Sequence, residues 1–342
     1  MKKIVIIGGA GFIGINTAIH FLKKGNEVVI FDNFSRFGSR NNAAFVQSKY
    51  PKQLAISEGD IRFDIPLLSK TVKNADVIFH LAGQVAVTTS ILRPREDFEI
   101  NAVGTMNVLE TVRNSDCDPV LLYSSTNKVY GELSHVPIVE KKTRYVYKNL
   151  PYGVPENTTL DFYTPYGCSK GTGDQYFRDY HRIYGLNTIV FRQSCIYGPF
   201  QYGIEDQGWI AWFLISALKN RDITIFGDGK QVRDILYIDD LVNAYDMAIK
   251  NIKKTSGNIY NIGGGPENTL SIWLELQKYL EKVHGKKVPV KFAKARSADQ
   301  KVYISDIRAA GKDFNWKPKI SVEEGISRVY KWLSENISSI PD

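Results

Sequence analysis

The 342-residue sequence predicts an α/β protein: a doubly wound parallel sheet with a smaller C-terminal lobe. Three observations carry this. Short Val- and Ile-rich runs alternate with helical patterns through the first half, the first run passes straight into a glycine cluster that opens a helix, and the alternation breaks near Tyr197 into loops containing glycine and aromatic residues.

The runs lie at 3–8, 27–32, 76–82, 119–124 and 187–192, with a shorter one at 54–56. Ile4-Val5-Ile6-Ile7 and Val28-Val29-Ile30-Phe31 are apolar without alternation, as strands buried on both faces are, so helices are expected on both sides of the sheet. After Tyr197 the expected elements are a helix over 209–219, a turn at Gly227-Asp228-Gly229 and helical stretches toward Trp332. No internal repeat or low-complexity linker interrupts the chain.

Composition excludes several classes. With 43% hydrophobic and 23% charged residues the chain buries a core rather than staying disordered. Its net charge of +8 comes from scattered pairs such as Lys23-Lys24 and Lys286-Lys287, so no nucleic-acid partner is expected. Cys117, Cys168 and Cys195 are far apart and the five histidines show no ligand spacing, so neither a disulfide framework nor a metal is expected, and His80 reads as a core residue. The apolar run behind Lys2 and Lys3 is too short for a signal peptide, and 209–218 is about half a membrane span, which leaves no membrane partner and a cytoplasmic location as the expectation.

The first strand leads into Gly8-Gly9-Ala10-Gly11-Phe12-Ile13-Gly14, where Gly8, Gly11 and Gly14 allow a tight turn, close approach of a diphosphate and close helix–strand packing. The helix N-terminus then offers free N–H groups to the phosphates, with Phe12 and Ile13 at the exit of the turn. Asp32, at the end of the second strand and eighteen positions after Gly14, suits a ribose diol and disfavours a 2′-phosphate; Asn33, Ser35 and Arg36 follow it. The expected cofactor is therefore NAD on a Rossmann domain. Asp60 and Ile61 after the third strand, and Leu81, Ala82 and Gly83 after the fourth, are expected at the same crevice. The dinucleotide-binding domain is expected over 1–195 with 235–265 returning to it, and the substrate lobe over 196–234 and 266–342.

Tyr166 and Lys170 are four apart behind Thr164-Pro165, a helix start, so they share one helix face. A phenol beside an ammonium and a nicotinium cation can exchange a proton with an alcohol. Thr126 closes the fifth strand, where its hydroxyl can hydrogen-bond the reacting oxygen. Gly171 and Gly173 weaken the helix that carries Tyr166, and close approach by a cofactor or a partner subunit is the expected reason.

These elements, together with HLAG at 80–83 and Asn101, resemble the extended short-chain dehydrogenase/reductase family that acts on nucleotide sugars, over nearly the whole chain. The resemblance implies a catalytic triad of Thr126, Tyr166 and Lys170, with Lys170 also on the nicotinamide ribose and Asn101 supporting the site. Dehydratases of the family carry Asp-Glu directly after the threonine; Asn127 and Lys128 stand here, which argues against dehydration. HLAGQVAVTTS, DFEIN, YSSTNKVYG, LDFYTPYGCSKG, DQGWIAWF and GKQVRD look like the CDP-paratose 2-epimerase (CDP-tyvelose epimerase) branch. That implies inversion at C2 of a CDP-3,6-dideoxyhexose through a 2-ketone, a step of lipopolysaccharide O-antigen biosynthesis, by a homo-oligomer, a dimer or a tetramer. Substrate contacts implied or expected are Gln84, Thr88, Thr126, Asn127, Gln193, Gln207, Arg233, Arg296 and Asp299, with the two arginines on the diphosphate. The alternatives are a 4-epimerase or a reductase of the same family, and a non-catalytic NAD-binding regulator, against which the intact Thr126, Tyr166 and Lys170 argue.

Overall fold

The computed structural model describes residues 1–296 and 299–340. The chain divides into two compact units, one of Met1–Thr126, Thr164–Arg192 and Val242–Tyr260, the other of Asn127–Tyr163, Gln193–Leu241 and Asn261–Asp342.

The first unit is built on the doubly wound sheet. The strands of that sheet are β1 (Lys3–Ile7), β2 (Glu27–Asp32), β3 (Leu54–Glu58), β4 (Val77–His80), β5 (Val120–Thr126), β6 (Asn187–Gln193) and β7 (Ile259–Ile262), with Gln193, Asn261 and Ile262 counted in the second unit. Their spatial order is β7-β6-β5-β4-β1-β2-β3, and β1 pairs in parallel with both β2 and β4. Strand order therefore reverses between β1 and β4, where the carboxyl ends open a crevice. Ile4, Val5, Ile6 and Ile7 are all fully buried, because helices cover both faces. On one face Val5, Ile7, Leu68, Val108, Leu121, Tyr123 and Phe177 form a continuous apolar cluster. Elsewhere in the unit the rings of Phe21, Phe79, Tyr245 and Phe191 pack in series, with centroids 5.3–5.4 Å apart.

In the second unit, the strand Val232–Tyr237 pairs with Thr269–Ser271, Val302–Tyr303 and Cys195–Tyr197, and Ile223–Phe226 pairs with Val290–Ala293. The segment 127–163 contributes an antiparallel hairpin, Ile138–Glu140 against Tyr145–Tyr147. Long-range bonds hold it in place: Arg144 Nε donates to Glu275 Oε1 at 2.7 Å, and the Tyr145 hydroxyl donates to Asp228 Oδ2 at 2.6 Å. The turn foreseen at 227–229 is made by Gly227 and Gly229 in the left-handed region, and the foreseen helices are Trp209–Leu218 and Val322–Glu335. Among the described residues no helix is long and apolar enough to cross a membrane.

Candidate active site

The glycine turn occupies the crevice between β1 and β4. Gly8 has φ +82°, and a Cβ there would lie 2.4 Å from the Ala82 nitrogen; a Cβ at Gly14 would lie 2.3 Å from the Gly8 oxygen. Both positions are closed to any side chain. At Gly11 the nearest atom is 3.5 Å from a built Cβ, so space remains in front of it. Gly11 is the N-cap of helix α1 (Phe12–Lys23) and offers no side chain to the first N–H groups, and no acidic residue stands in the first turn. Unsatisfied N–H donors, the positive end of the helix dipole and open space fit a diphosphate.

Asp32 ties this turn to β2. Its buried carboxylate accepts from the Ala10 N–H at 2.9 Å and from the Phe34 N–H at 2.8 Å, and burial raises its pKa against those two bonds. Asn33 Nδ2 donates to Asp60 Oδ2 at 2.8 Å, and Arg62 grips the same carboxylate through two nitrogens, which holds Asp60 down at about 2. Ser35 and Arg36 are exposed beside them. Ile61 is buried, and its carbonyl accepts from Asn107 Nδ2 at 2.9 Å.

Tyr166 and Lys170 stand on helix α2 (Thr164–Tyr184), whose first residue, Thr164, has the strained φ of +76° and receives the Gly167 N–H on its hydroxyl at 3.3 Å. Both side chains are nearly buried, at 8% and 4% exposed. Burial pushes the Tyr166 phenol up to about 12, and a hydrogen bond with the Thr126 hydroxyl opposes that rise. Burial pulls the Lys170 ammonium down to about 7, opposed by Asp174 and Asp97. Thr126, Tyr166 and Lys170 are thus brought together from the end of β5 and one turn of α2. A Cβ at Gly83 would lie 2.9 Å from Asn101 Oδ1 and 3.7 Å from Lys170 Nζ, so Leu81-Ala82-Gly83 passes directly by this group.

Asn101 lies in a π turn, Glu99–Val103, a form associated with functional sites. Its Nδ2 donates to the Gln84 carbonyl at 3.0 Å, and its Oδ1 accepts the Gln84 N–H at 2.9 Å. Gln84 Nε2 donates to Ala86 O and Asp97 Oδ1 at 2.9 and 2.7 Å, which engages both of its amide hydrogens. Thr88 is different: its hydroxyl oxygen is buried and has no partner among the described residues. His80 is fully buried with Nε2 2.9 Å from the Thr105 hydroxyl, and burial followed by the Lys170 charge drives it to about 3.

The remaining candidates belong to the second unit. Arg233 is buried, donating from Nη2 to Asp299 Oδ1 at 2.5 Å and from Nη1 to Val232 O at 2.7 Å. Arg296 sits apart from that pair: it bridges to Asp206 Oδ1 at 3.0 Å, beside Gln207, and lies over the Phe226 ring, 4.0 Å from the centroid. Its neighbours Ser297 and Ala298 lie outside the described residues. Gln193 is buried at the end of β6, and Asn127 Nδ2 donates to Gln300 Oε1 at 3.4 Å. Burial and then Arg233 lower Lys128 to about 8, with Asp299 opposing.

Sequence reasoning passed over the ion pair of Asp174 and Arg192, which are 0% and 2% exposed and joined by Nε–Oδ2 and Nη2–Oδ1 bonds of 2.9 and 2.8 Å. It also passed over Ser169, whose hydroxyl donates to Asp97 at 2.6 Å. Residues 18 and 72 apart carry no local pattern; a charged residue amid buried helix positions is the only sequence signal at Asp174. At Gly173 the chain itself makes a close approach: a Cβ there would lie 2.4 Å from the Tyr123 hydroxyl and 3.2 Å from Thr105 Cγ2, so the glycine makes room for the Tyr123 phenol.

A dinucleotide turn at the switch point and a buried Thr–Tyr–Lys group define the class: an extended short-chain dehydrogenase/reductase. The chain belongs to the family described as GDP-mannose 4,6 dehydratase, whose profile matches residues 5–329. It is 44% identical over 340 residues to the CDP-paratose 2-epimerase of Salmonella typhi, covering 97% of this chain and 99% of that one. Among solved structures, DesIV, the dTDP-glucose 4,6-dehydratase of Streptomyces venezuelae with NAD and TYD bound, superimposes with a TM-score of 0.84 at 27% identity over 98% of both chains. The UDP-glucuronic acid 4-epimerase of Bacillus cereus in complex with UDP-glucuronic acid and NAD gives 0.82 at 28% identity, over 97% of this chain and 99% of that one. This chain is accordingly a nucleotide-sugar-modifying enzyme of the epimerase and dehydratase group.

Proposed function

We propose that the protein is an NAD-dependent nucleotide-sugar 2-epimerase that interconverts CDP-paratose and CDP-tyvelose. The observation that carries this reading is the Thr126–Tyr166 hydrogen bond beside buried Lys170 in a chain 44% identical to a CDP-paratose 2-epimerase. Asn127 and Lys128 stand where the family's dehydratases place Asp and Glu, which supports hydride chemistry without elimination.

The Gly8–Gly14 turn and the N-terminus of α1 would hold the diphosphate of NAD, Asp32 an adenosine ribose, and Lys170 with Asn101 the nicotinamide side. NAD, when bound, supplies the hydride-accepting carbon and a positive charge that favours phenolate. Tyr166 Oη would take the proton of the C2 hydroxyl as the C2–H bond breaks and its hydride leaves to the bound dinucleotide, and would return the proton to the carbonyl oxygen as the same hydride comes back to C2 on the ketone's other face. Thr126 hydrogen-bonds the reacting oxygen, and the buried surroundings exclude water from the ketone. Thr88 has an unused buried hydroxyl for a sugar oxygen. In the second unit, Arg233 and Arg296 carry the guanidinium groups for the diphosphate, and Asp299, Asn127, Gln193 and Gln207 the polar groups for the remainder of the substrate. The reading places the enzyme in the cytoplasm, as a homo-oligomer, in O-antigen sugar synthesis.

The test is incubation of the purified protein with CDP-paratose, followed by proton NMR. Conversion to CDP-tyvelose without net consumption of reduced dinucleotide is expected, with NAD released when the protein is denatured. Tyr166→Phe should slow conversion at least about 100-fold. No conversion, net dinucleotide turnover, or full activity of the Phe variant overturns the assignment.

A further inference from the structure

Asp97 is 1% exposed, and three side chains donate to it: Gln84 Nε2 to Oδ1 at 2.7 Å, Asn101 Nδ2 to Oδ1 at 3.2 Å and the Ser169 hydroxyl to Oδ2 at 2.6 Å. The three donors come from different elements, namely the turn after β4, the π turn, and α2 between Tyr166 and Lys170. Burial raises the Asp97 carboxyl above its ordinary value, and the Ser169 and Gln84 hydrogen bonds and the Lys170 charge oppose that rise by favouring the charged form. We propose that Asp97 is a positioning residue of this site: one buried carboxylate that locks the Gln84 turn, Asn101 and Ser169 together and whose negative charge, with that of Asp174, acts on the Lys170 ammonium.

The groups around that ammonium are few. Tyr123 places its ring under Nζ, His80 is neutral on β4, and Tyr166 is one helical turn away. The negative groups that act on Lys170 are Asp97 and Asp174. Asp174 is already committed to Arg192 by two hydrogen bonds, which leaves Asp97 as the carboxylate without an arginine of its own. Asp97 lies on the short helix Pro94–Phe98; there and at its two ends Arg93 pairs with Glu96 and Arg95 with Glu99 on the exposed side, so those charges are turned to water. Asp97 therefore works through its neighbours, Gln84, Asn101 and Ser169, rather than by touching the reacting atoms.

This inference rests on the Tyr166–Lys170 reading for its catalytic meaning, and its test is chosen to be independent of turnover. Lysine labelled with ¹³C at Cε is followed by NMR against pH in the protein without substrate, with the Lys170 signal assigned by its absence in Lys170→Arg. Lys170 should titrate near 7 in the unaltered protein. In Asp97→Asn, which keeps the side-chain size but removes the charge, the titration should move lower by about half a pH unit or more, roughly threefold in proton affinity. Asp97→Glu, which retains the charge, should move it less; Asp97→Ser replaces the Asn variant if that one does not fold. A Lys170 titration unchanged in the uncharged variant, or displaced equally in the Glu variant, overturns the proposal. The pH profile of epimerisation in Asp97→Asn should shift in the same direction. Loss of CDP-paratose conversion in the unaltered protein with the NMR shift intact would instead count against the assigned reaction.

Discussion

Lys170 Nζ sits over the ring of Tyr123, 4.2 Å from its centroid, so the one ammonium in this group rests on a π face instead of water. The ring itself is fixed: it stacks on Phe177 at 4.6 Å, and its hydroxyl donates to the Lys170 carbonyl at 3.3 Å. Cation–π attraction and two carboxylates do not outweigh desolvation, and the amine falls from 10.5 to about 7.

Burying this amine should lower the stability of the ligand-free protein. Its folded pKa lies below its unfolded one, so the unfolded chain binds more protons between about pH 7 and 10.5, and stability contributed through this group rises with pH across that window. The penalty is full below pH 7 and absent above 10.5. Lys170→Met is expected to abolish epimerisation yet stabilise the ligand-free protein by about 2–4 kcal/mol at pH 7, with the gain shrinking toward pH 10. Denaturant melts at the two pH values check it.

The Asp174–Arg192 pair should behave as a buried ion pair whose partners cannot be removed singly. Arg192→Met leaves a carboxylate at 0% exposure facing Ser125 Oγ at 2.7 Å, and is expected to destabilise by about 3–5 kcal/mol. Replacing both residues, as Asp174→Leu with Arg192→Met, should recover a large part of that loss in urea unfolding.

Gly173→Ala sets helix propensity against packing. Alanine would gain about 1 kcal/mol in an exposed helix, but here its Cβ would meet the Tyr123 hydroxyl at 2.4 Å. Net destabilisation of about 1–3 kcal/mol is expected. Adding Tyr123→Phe removes the clashing oxygen and should restore part of the stability, although the ring carbon remains 2.8 Å from the new Cβ. Thermal melts of the two variants provide the measurement.

Gly8→Ala combines a left-handed backbone with a 2.4 Å approach to the Ala82 nitrogen, an atom that cannot move aside as a side chain can. The turn must open, and NAD affinity is expected to fall at least about tenfold. Titration of the protein stripped of dinucleotide, or the NAD content of the purified variant, reads this directly.

Legibility followed range. The glycine turn, Asp32 at a strand end and the Tyr166–Lys170 spacing are local patterns, set by backbone geometry within one turn or one strand–helix junction, and the sequence alone determined them. It also determined the doubly wound sheet, because strands buried on both faces must be apolar throughout. Only the tertiary structure decided that Asp97 meets Ser169 across 72 positions, that Asp174 meets Arg192, that Gly173 yields to Tyr123, and that Arg233 and Asp299 pair while Arg296 turns to Asp206. Those choices rest on desolvation and on packing between residues remote in sequence, which leave no periodicity: a buried carboxylate and a solvated one are spelled with the same letter.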